Sequence, residues 1–369
     1  MQKKKSNTTK KRNFRKGKNR SVVGAKHLHY YYTALIVLLV IAASFAAISI
    51  SHINIFGNFD AVHPATTNTS NIYNKTTTNA AKTLGDNSIN QTLLAAQVIP
   101  TTGYTLPFKW GDSVHKLVEA GALNVSNLTI ILNNSRQPLT LSEKEILNGT
   151  YTGYIQFNST NTEFVQLVLW GLGINNNNTI ITKGPIINAS IPYANSINTN
   201  STLRQKLNQN ATPQWVASQY FASTGGYGPL GKLQLGELNI VSLNSQQQAL
   251  MYDVATRSYR PCCDNPTAFP DCNHGAAALG LIELLAYQGA NQSQMFDAVR
   301  YFYQYQFPQQ YAEIAAYFDS HGVNYNQVNS SEVMGYSFSS YSGYASVNQY
   351  LIKNKILAQP SGGGASCGA

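Results

Sequence analysis

The segment YYYTALIVLLVIAASFAAISI, Tyr30–Ile50, contains no charged residue. It constrains the chain more than any other stretch. A helix rises about 1.5 Å per residue, so 21 residues reach across a hydrocarbon layer of about 30 Å. Before it lie eleven Lys or Arg residues within positions 1–30, with no acid. Positive charge on one flank holds that flank in the cytoplasm. The tyrosines Tyr30, Tyr31 and Tyr32 suit the interfacial zone, where a ring with a polar tip is stable. The expectation is an uncleaved signal anchor: a cell-membrane protein with its N-terminus cytoplasmic and the rest outside. A cleaved signal peptide, cut near Ala42, Ala43 and Ser44, is the alternative. The long basic region and the apolar run beyond those residues argue against it.

The basic tail also accounts for the net charge. The chain has 26 Lys and Arg against 16 Asp and Glu. Without the eleven in the tail, 15 bases face 16 acids, and the remainder is close to neutral. The high isoelectric point therefore gives no reason to expect a nucleic-acid partner. Membrane attachment through residues 30–50 and a metal ion are the partners the sequence points to. It names no protein or glycan partner.

The sequence divides into a cytoplasmic tail (1–29), a transmembrane helix (30–50), a stalk (51–102), an ectodomain (103–360) and a Gly-rich tail (361–369). The stalk is rich in Asn, Thr and Ala and has too little apolar surface to offset the entropy of ordering. Asn-x-Ser/Thr sequons at Asn68, Asn74 and Asn90 recur as far as Asn329. They fit glycosylation on an extracellular surface, or an Asn-rich composition without it.

The ectodomain reads as mainly α, with few short strands. Asp112 caps a helix through SVHKLVE, and Gly121 stops it. Thr140 and Glu143 form a capping box. EFVQLVLWGLG is apolar nearly all round and reads as a buried helix. TYTGYIQFN alternates as a short strand. Residues 185–212, rich in Asn, Ser and Thr, read as a loop or weak domain boundary. The run FASTGGYGPLG must turn. Four helices follow: one after Asn244, one from His274, one broken at Pro308, and one continuing from that break. A last helix begins near Ser342. Ala276, Ala277, Ala278 and Gly280 make the His274 helix narrow enough for another to pack closely on it. The series Tyr301, Phe302, Tyr303, Tyr305, Phe307 and Tyr311 reads as core. No phosphate-binding glycine loop or GxSxG elbow is present, and GLG at Gly171–Gly173 is too little for a dinucleotide fingerprint.

The candidate site is YRPCCDNPTAFPDCNHG, Tyr259–Gly275, which holds three of the four cysteines in the chain. Three chemistries fit it. The first is a metal site with Cys262, Cys263, Cys272 and His274 as ligands, since three thiolates and an imidazole suit zinc or copper. Asp264, Asp271 and Arg260 are the expected supporting residues, the aspartates orienting the histidine and Arg260 pairing with one of them. A solvated Arg260 is the plainer reading. The second is disulfide bonding of Cys262 or Cys263 to Cys272, with Cys367 taking the remaining thiol. The chain is then a stapled surface interaction or adhesion module without catalysis. The third is a thiol-dependent enzyme with Cys272 activated at a helix start. No catalytic residue is assigned. His115 and His321 read as ordinary surface or helix-end histidines.

The segments FKWGDSVHKLVEAGAL, FASTGG and YRPCCDNPTAFPDCNHGAAALGLIEL together resemble a group of uncharacterised membrane-anchored proteins of archaea and small-genome bacteria. The resemblance runs from Leu106 to Leu351. It implies that the cysteine loop and the turn at Ser223, Thr224, Gly225 and Gly226 belong to one design. It implies no activity.

Overall fold

The structure, a computed structural model, describes residues 98–207, 209–224 and 226–357. The tail, the apolar run, residues 51–97 of the stalk and Cys367 lie outside the described residues; residues 98–102, read as the end of the stalk, belong to the fold, with Val98 fully buried in the core and the Pro100 carbonyl accepting from Tyr305 Oη at 3.0 Å. No helix among the described residues is long and apolar enough to cross a membrane.

Helices dominate, as the periodicity predicts. Among the described residues a single two-stranded antiparallel sheet pairs β1 (Tyr104–Lys109) with β2 (Tyr154–Phe157), bulged between Thr105 and Lys109. The first helices are α1 (Ser113–Glu119), α2 (Val125–Asn134) and α3 (Leu141–Leu147). At α3 the expected capping box is complete. The Thr140 side chain accepts from the Glu143 amide, and Glu143 accepts from Thr140 N. Asn244 and Gln247 make the same reciprocal pair at the start of α9 (Ser245–Arg257).

Of residues 185–212, those from 185 to 207 are not a loop. They form α6 (Pro185–Thr199) and α7 (Ser201–Leu207), after the short α5 (Thr179–Lys183). Pro185 is at the first helical position, where its missing amide costs nothing. Ile186, Ser190, Ala194 and Ile197 then fall on one buried face at helical spacing. Ala194 and Ile197 form a small apolar cluster with Ala211 and Val216, the latter on α8 (Pro213–Gln219). Burial of that stripe outweighs the poor helix propensity of its Asn and Ser neighbours. GKLQLGELNIV forms no strand, and only an isolated bridge joins Leu238 to Asn176.

The centre of the fold is a pair of helices. One is α4 (Thr162–Asn175), the other α10 (Asn273–Tyr287), and both are buried along almost their whole length. They meet at two glycines. A Cβ on Gly173 would lie 1.9 Å from the Ala276 carbonyl oxygen, and one on Gly280 would lie 2.2 Å from that of Leu169. Backbone therefore packs on backbone, with no room for a methyl group. Past the crossing, Asn176 Nδ2 donates to Glu283 at 3.1 Å. Before it, Gln306 Nε2 donates to the Thr162 carbonyl at 3.2 Å, and the ring of the next residue, Phe307, packs 4.6 Å from that of His274. The two helices thus run parallel, with both N-termini at the end that carries the cysteine loop.

The tract NNNN, Asn175–Asn178, looks like low complexity but is a polar seam in the core. Asn175 Nδ2 donates to Tyr227 Oη at 2.8 Å, and Asn176 Oδ1 accepts from the amides of Ile240 and Val241. Asn176 and Asn178 each donate to the carboxylate of Glu283, which has no exposed surface. Burial raises the Glu283 pKa well above the usual carboxylate range, and the two amides offset only part of that.

The remaining helices are α11 (Gln292–Gln306), α12 (Pro308–Ser320), the single turns α13 (Ser330–Val333) and α14 (Tyr336–Ser339), and α15 (Tyr341–Lys353). The break at Pro308 falls where expected. The aromatic series on α11 and α12 is core: Phe302, Tyr303, Tyr305, Phe307 and Tyr311 are buried, and Tyr301 stacks on Tyr104.

Candidate metal centre

The loop between α9 and α10 is tied down at both ends. At its base, Ser258 and Thr267 bond through backbone and hydroxyls, and Tyr259 N donates to the Met334 carbonyl. The Cys263 carbonyl accepts from Tyr341 N at the start of α15. Cys272 is the N-cap of α10, its sulfur accepting from Gly275 N at 3.5 Å. His274 follows in the first helical turn.

This frame brings two sulfurs and an imidazole together. The ligating atoms of Cys262, Cys272 and His274 all lie within 4.8 Å of one another. Cys263 joins from the sulfur side, hydrogen-bonded to both Cys262 and Cys272. No disulfide links Cys262, Cys263 and Cys272. The stapled arrangement, with two sulfurs at bonding distance and His274 elsewhere, is not what this loop adopts.

Arg260 organises the loop, and it is not the solvated charge of the plainer reading. Its side chain is completely buried. Nη1 donates to the carbonyls of Asn265 at 3.0 Å and Pro266 at 3.2 Å. Nη2 donates to the Phe269 carbonyl at 3.2 Å and pairs with Asp271. Nε donates to the Cys272 sulfur at 3.2 Å. The guanidinium fits only because residue 275 is glycine, where a Cβ would lie 2.6 Å from Arg260 Cζ.

Charge in the loop is polarised. Cys272 is pushed well below the usual thiol range, first by hydrogen bonds from Cys262 and Cys263, with Arg260 and His274 assisting against burial. Cys262 is pushed up by its bonds to Cys263 and Cys272 and by burial. Cys263 rises to about 12: the bond with Cys262 lowers it, but the bond with Cys272 and burial outweigh that. Arg260 is held well above its ordinary value, since the anions around it, Cys272 foremost, outweigh the effect of burial.

The two aspartates do not serve the histidine. Both oxygens of Asp264 accept from Ser342, at 2.8 Å from the amide and 2.7 Å from the hydroxyl, which ties the loop to α15. Asp271 pairs with Arg260 through one oxygen and accepts from Asn265 Nδ2 at 2.7 Å through the other. Glu163, half-buried in the first turn of α4, has its pKa raised by burial, with nearby His274 opposing that rise. No short-range sequence pattern connects it to the loop. The residue before the FASTGG turn touches the loop. That residue, Tyr220, opens a π-helical turn, Tyr220–Thr224, and its Oη donates to the Asp271 carbonyl at 2.8 Å.

The donor set fits a soft metal ion. Sulfurs around a tetrahedral zinc lie about 3.8 Å apart, from bonds of about 2.3 Å, and the observed cluster needs little contraction to reach that. With Arg260 and Asp271 neutralising each other, two thiolates balance a divalent cation. A groove of about 480 Å³ opens beside the loop, lined by Tyr259 and Tyr336 among others, and no cysteine lines it. His115 bonds the Leu147 carbonyl and Glu119, and His321 bonds the Tyr317 carbonyl at a helix end. Neither contributes to the site.

No protein-family model, no curated protein and no solved structure matches this chain.

Proposed function

We propose that this chain is a membrane-anchored, extracytoplasmic metal-binding protein, held by residues 30–50, which presents a zinc or copper site on a helical domain. The observation that carries the metal reading is the mutual approach of the Cys262 and Cys272 sulfurs and the His274 imidazole within 4.8 Å. Cys262, Cys272 and His274 are the holding set, with Cys263 as the fourth candidate ligand. Handling, sensing or stabilisation all follow from such a site. The anchor rests on the charge-free run after a basic tail.

Elemental analysis of the full-length chain, purified without oxygen beside its Cys272→Ser and His274→Ala forms, tests the site. Stoichiometric zinc or copper, lost in both variants, is the expected result. A metal-free wild-type chain with thiols that oxidise to disulfides sinks the proposal. Alkaline carbonate extraction of membranes tests the anchor, and release of the chain into the soluble fraction counts against it.

A further inference from the structure

We infer that a second site, apart from the metal centre, binds a free α-amino acid as a zwitterion, in the groove that β1, α11 and the segment leading into α13 enclose. The groove has a volume of about 320 Å³, and Tyr104, Asp297, Arg300 and Tyr301 are among the residues that line it. That volume is near the lower end of the range of about 300–1,000 Å³ common for small-ligand sites. Asp297 and Arg300 lie one helical turn apart on α11, yet they do not pair with each other. Arg300 is almost wholly buried, and its guanidinium is held on another side. Its Cζ lies 4.1 Å from the centre of the Tyr325 ring. Nη1 donates to the Val328 carbonyl at 2.9 Å and to Ser330 Oγ at 3.4 Å, and Nη2 donates to the Tyr325 carbonyl at 2.9 Å. All of these acceptors are neutral, and Nε is buried with no hydrogen-bond partner. The Asp297 carboxylate is on a half-buried residue and, among the described residues, has neither a hydrogen bond nor an ion pair.

A cation and an anion held apart in one groove select a ligand that carries both charges. A charge sheltered from water without an opposite charge is costly, and so is an unmet buried donor. A simple anion that answers Arg300 meets Asp297, and a simple cation that answers Asp297 meets Arg300. An uncharged ligand leaves both uncompensated. The ammonium and carboxylate of a free α-amino acid sit on one carbon. They therefore fit side by side between groups whose Cβ atoms, at this helical spacing, are about 5–6 Å apart. The ammonium donates to Asp297, and the carboxylate lies toward the guanidinium. Tyr104 and Tyr301, stacked with ring centres 3.5 Å apart, supply a wall for the ligand side chain. Large aliphatic and aromatic side chains gain most from such a wall.

The test is calorimetric titration of the full-length wild type and Asp297→Asn with free L-amino acids, one at a time, and with the N-acetyl and carboxamide forms of the tightest binder. The Asp297 carboxylate bonds nothing within the described fold, so Asp297→Asn should keep the thermal stability of the wild type and report on binding alone. Expected is saturable binding, tightest for aromatic and large aliphatic amino acids. Each blocked form should bind about 10–100-fold more weakly, the loss that goes with one hydrogen bond to a charged group. Asp297→Asn should lose about as much for the free amino acid and no longer distinguish it from the N-acetyl form. Equal binding of free and blocked forms, or unchanged affinity in Asp297→Asn, overturns the inference. So does the lack of saturable binding with every free amino acid, which leaves Asp297 to solvation and Arg300 to holding the Tyr325–Val328 turn. The inference does not depend on the metal reading, and each of these outcomes leaves that reading as it was.

Discussion

The Arg260 guanidinium donates from Nε to the Cys272 sulfur at 3.2 Å while its other nitrogens bind three backbone carbonyls and Asp271. One buried cation therefore sets the shape of the loop and the charge of its central sulfur. Arg260→Met leaves the carbonyls of Asn265, Pro266 and Phe269 without their donor and Asp271 without its partner. Breaking a buried pair in this way costs about 3–5 kcal/mol, readable as a lower urea midpoint. Arg260→Lys keeps the charge but not the fork, and most of that loss should remain.

Gly275→Ala tests the same packing from the opposite side. The added methyl meets the guanidinium carbon at 2.6 Å and both terminal nitrogens at 2.8 Å. Because the guanidinium is fixed on every side, it has nowhere to move. The expected cost is about 1–3 kcal/mol, with weaker metal binding. Unchanged affinity and stability would show that the loop has slack.

Asp264→Ala separates loop anchoring from metal chemistry. It removes the acceptor for the Ser342 amide and hydroxyl. A lost cap of this kind costs about 0.5–2 kcal/mol, and zinc affinity should stay near that of the wild type. A large affinity loss would return Asp264 to the role of histidine support.

The cysteines should rank unequally. Cys272 bonds Arg260 and both other thiols and belongs to the sulfur–imidazole group, whereas Cys263 bonds only on the sulfur side. Cys272→Ser should abolish stoichiometric zinc, and Cys263→Ser should weaken it. Metal-binding thiols must lose protons, so affinity should fall as the medium is acidified. Equal effects of the two substitutions would mean that Cys263 is a full ligand.

Glu283 gives a pH signature remote from the site. Its folded pKa lies above its unfolded value because burial disfavours the anion. The folded state therefore binds more protons than the unfolded one between those two values. Its contribution to stability is greatest below the unfolded carboxylate pKa of about 4.3 and is lost as pH rises through the folded value. Unfolding free energies of wild type and Glu283→Gln, measured from acid to neutral pH, should differ by this slope. Parallel curves would show that Glu283 is ionised in the fold.

What could be read in the sequence follows from how local each signal is. The Thr140–Glu143 box, the Pro308 break and the small face of α10 are each written within a few residues, and each formed as read. Residues 185–212 misled because Ile186, Ala194 and Ile197 are thinly spaced among Asn and Ser, so the helical stripe is visible only once its burial is known. Asn175–Asn178 gives no sequence sign of its burial, because a buried amide is distinguished from an exposed one only by partners such as Tyr227 and Glu283. The cysteine loop itself was legible as a metal candidate. Its support was not: Arg260 reads as surface charge, and its burial shows only once the loop has closed around it.

The parallel pairing of α4 with α10 also says when the site can exist. The Asn176–Glu283 bond joins residues 107 positions apart, and the chain between them must be closed before the two glycines meet. Loop closure of that kind is slow and comes late. A fragment or stalled chain ending before α10 lacks His274 and the helix that packs on α4. Under the metal-binding proposal, metal uptake is then a completion signal, which a correctly assembled molecule gives and a partly folded one does not.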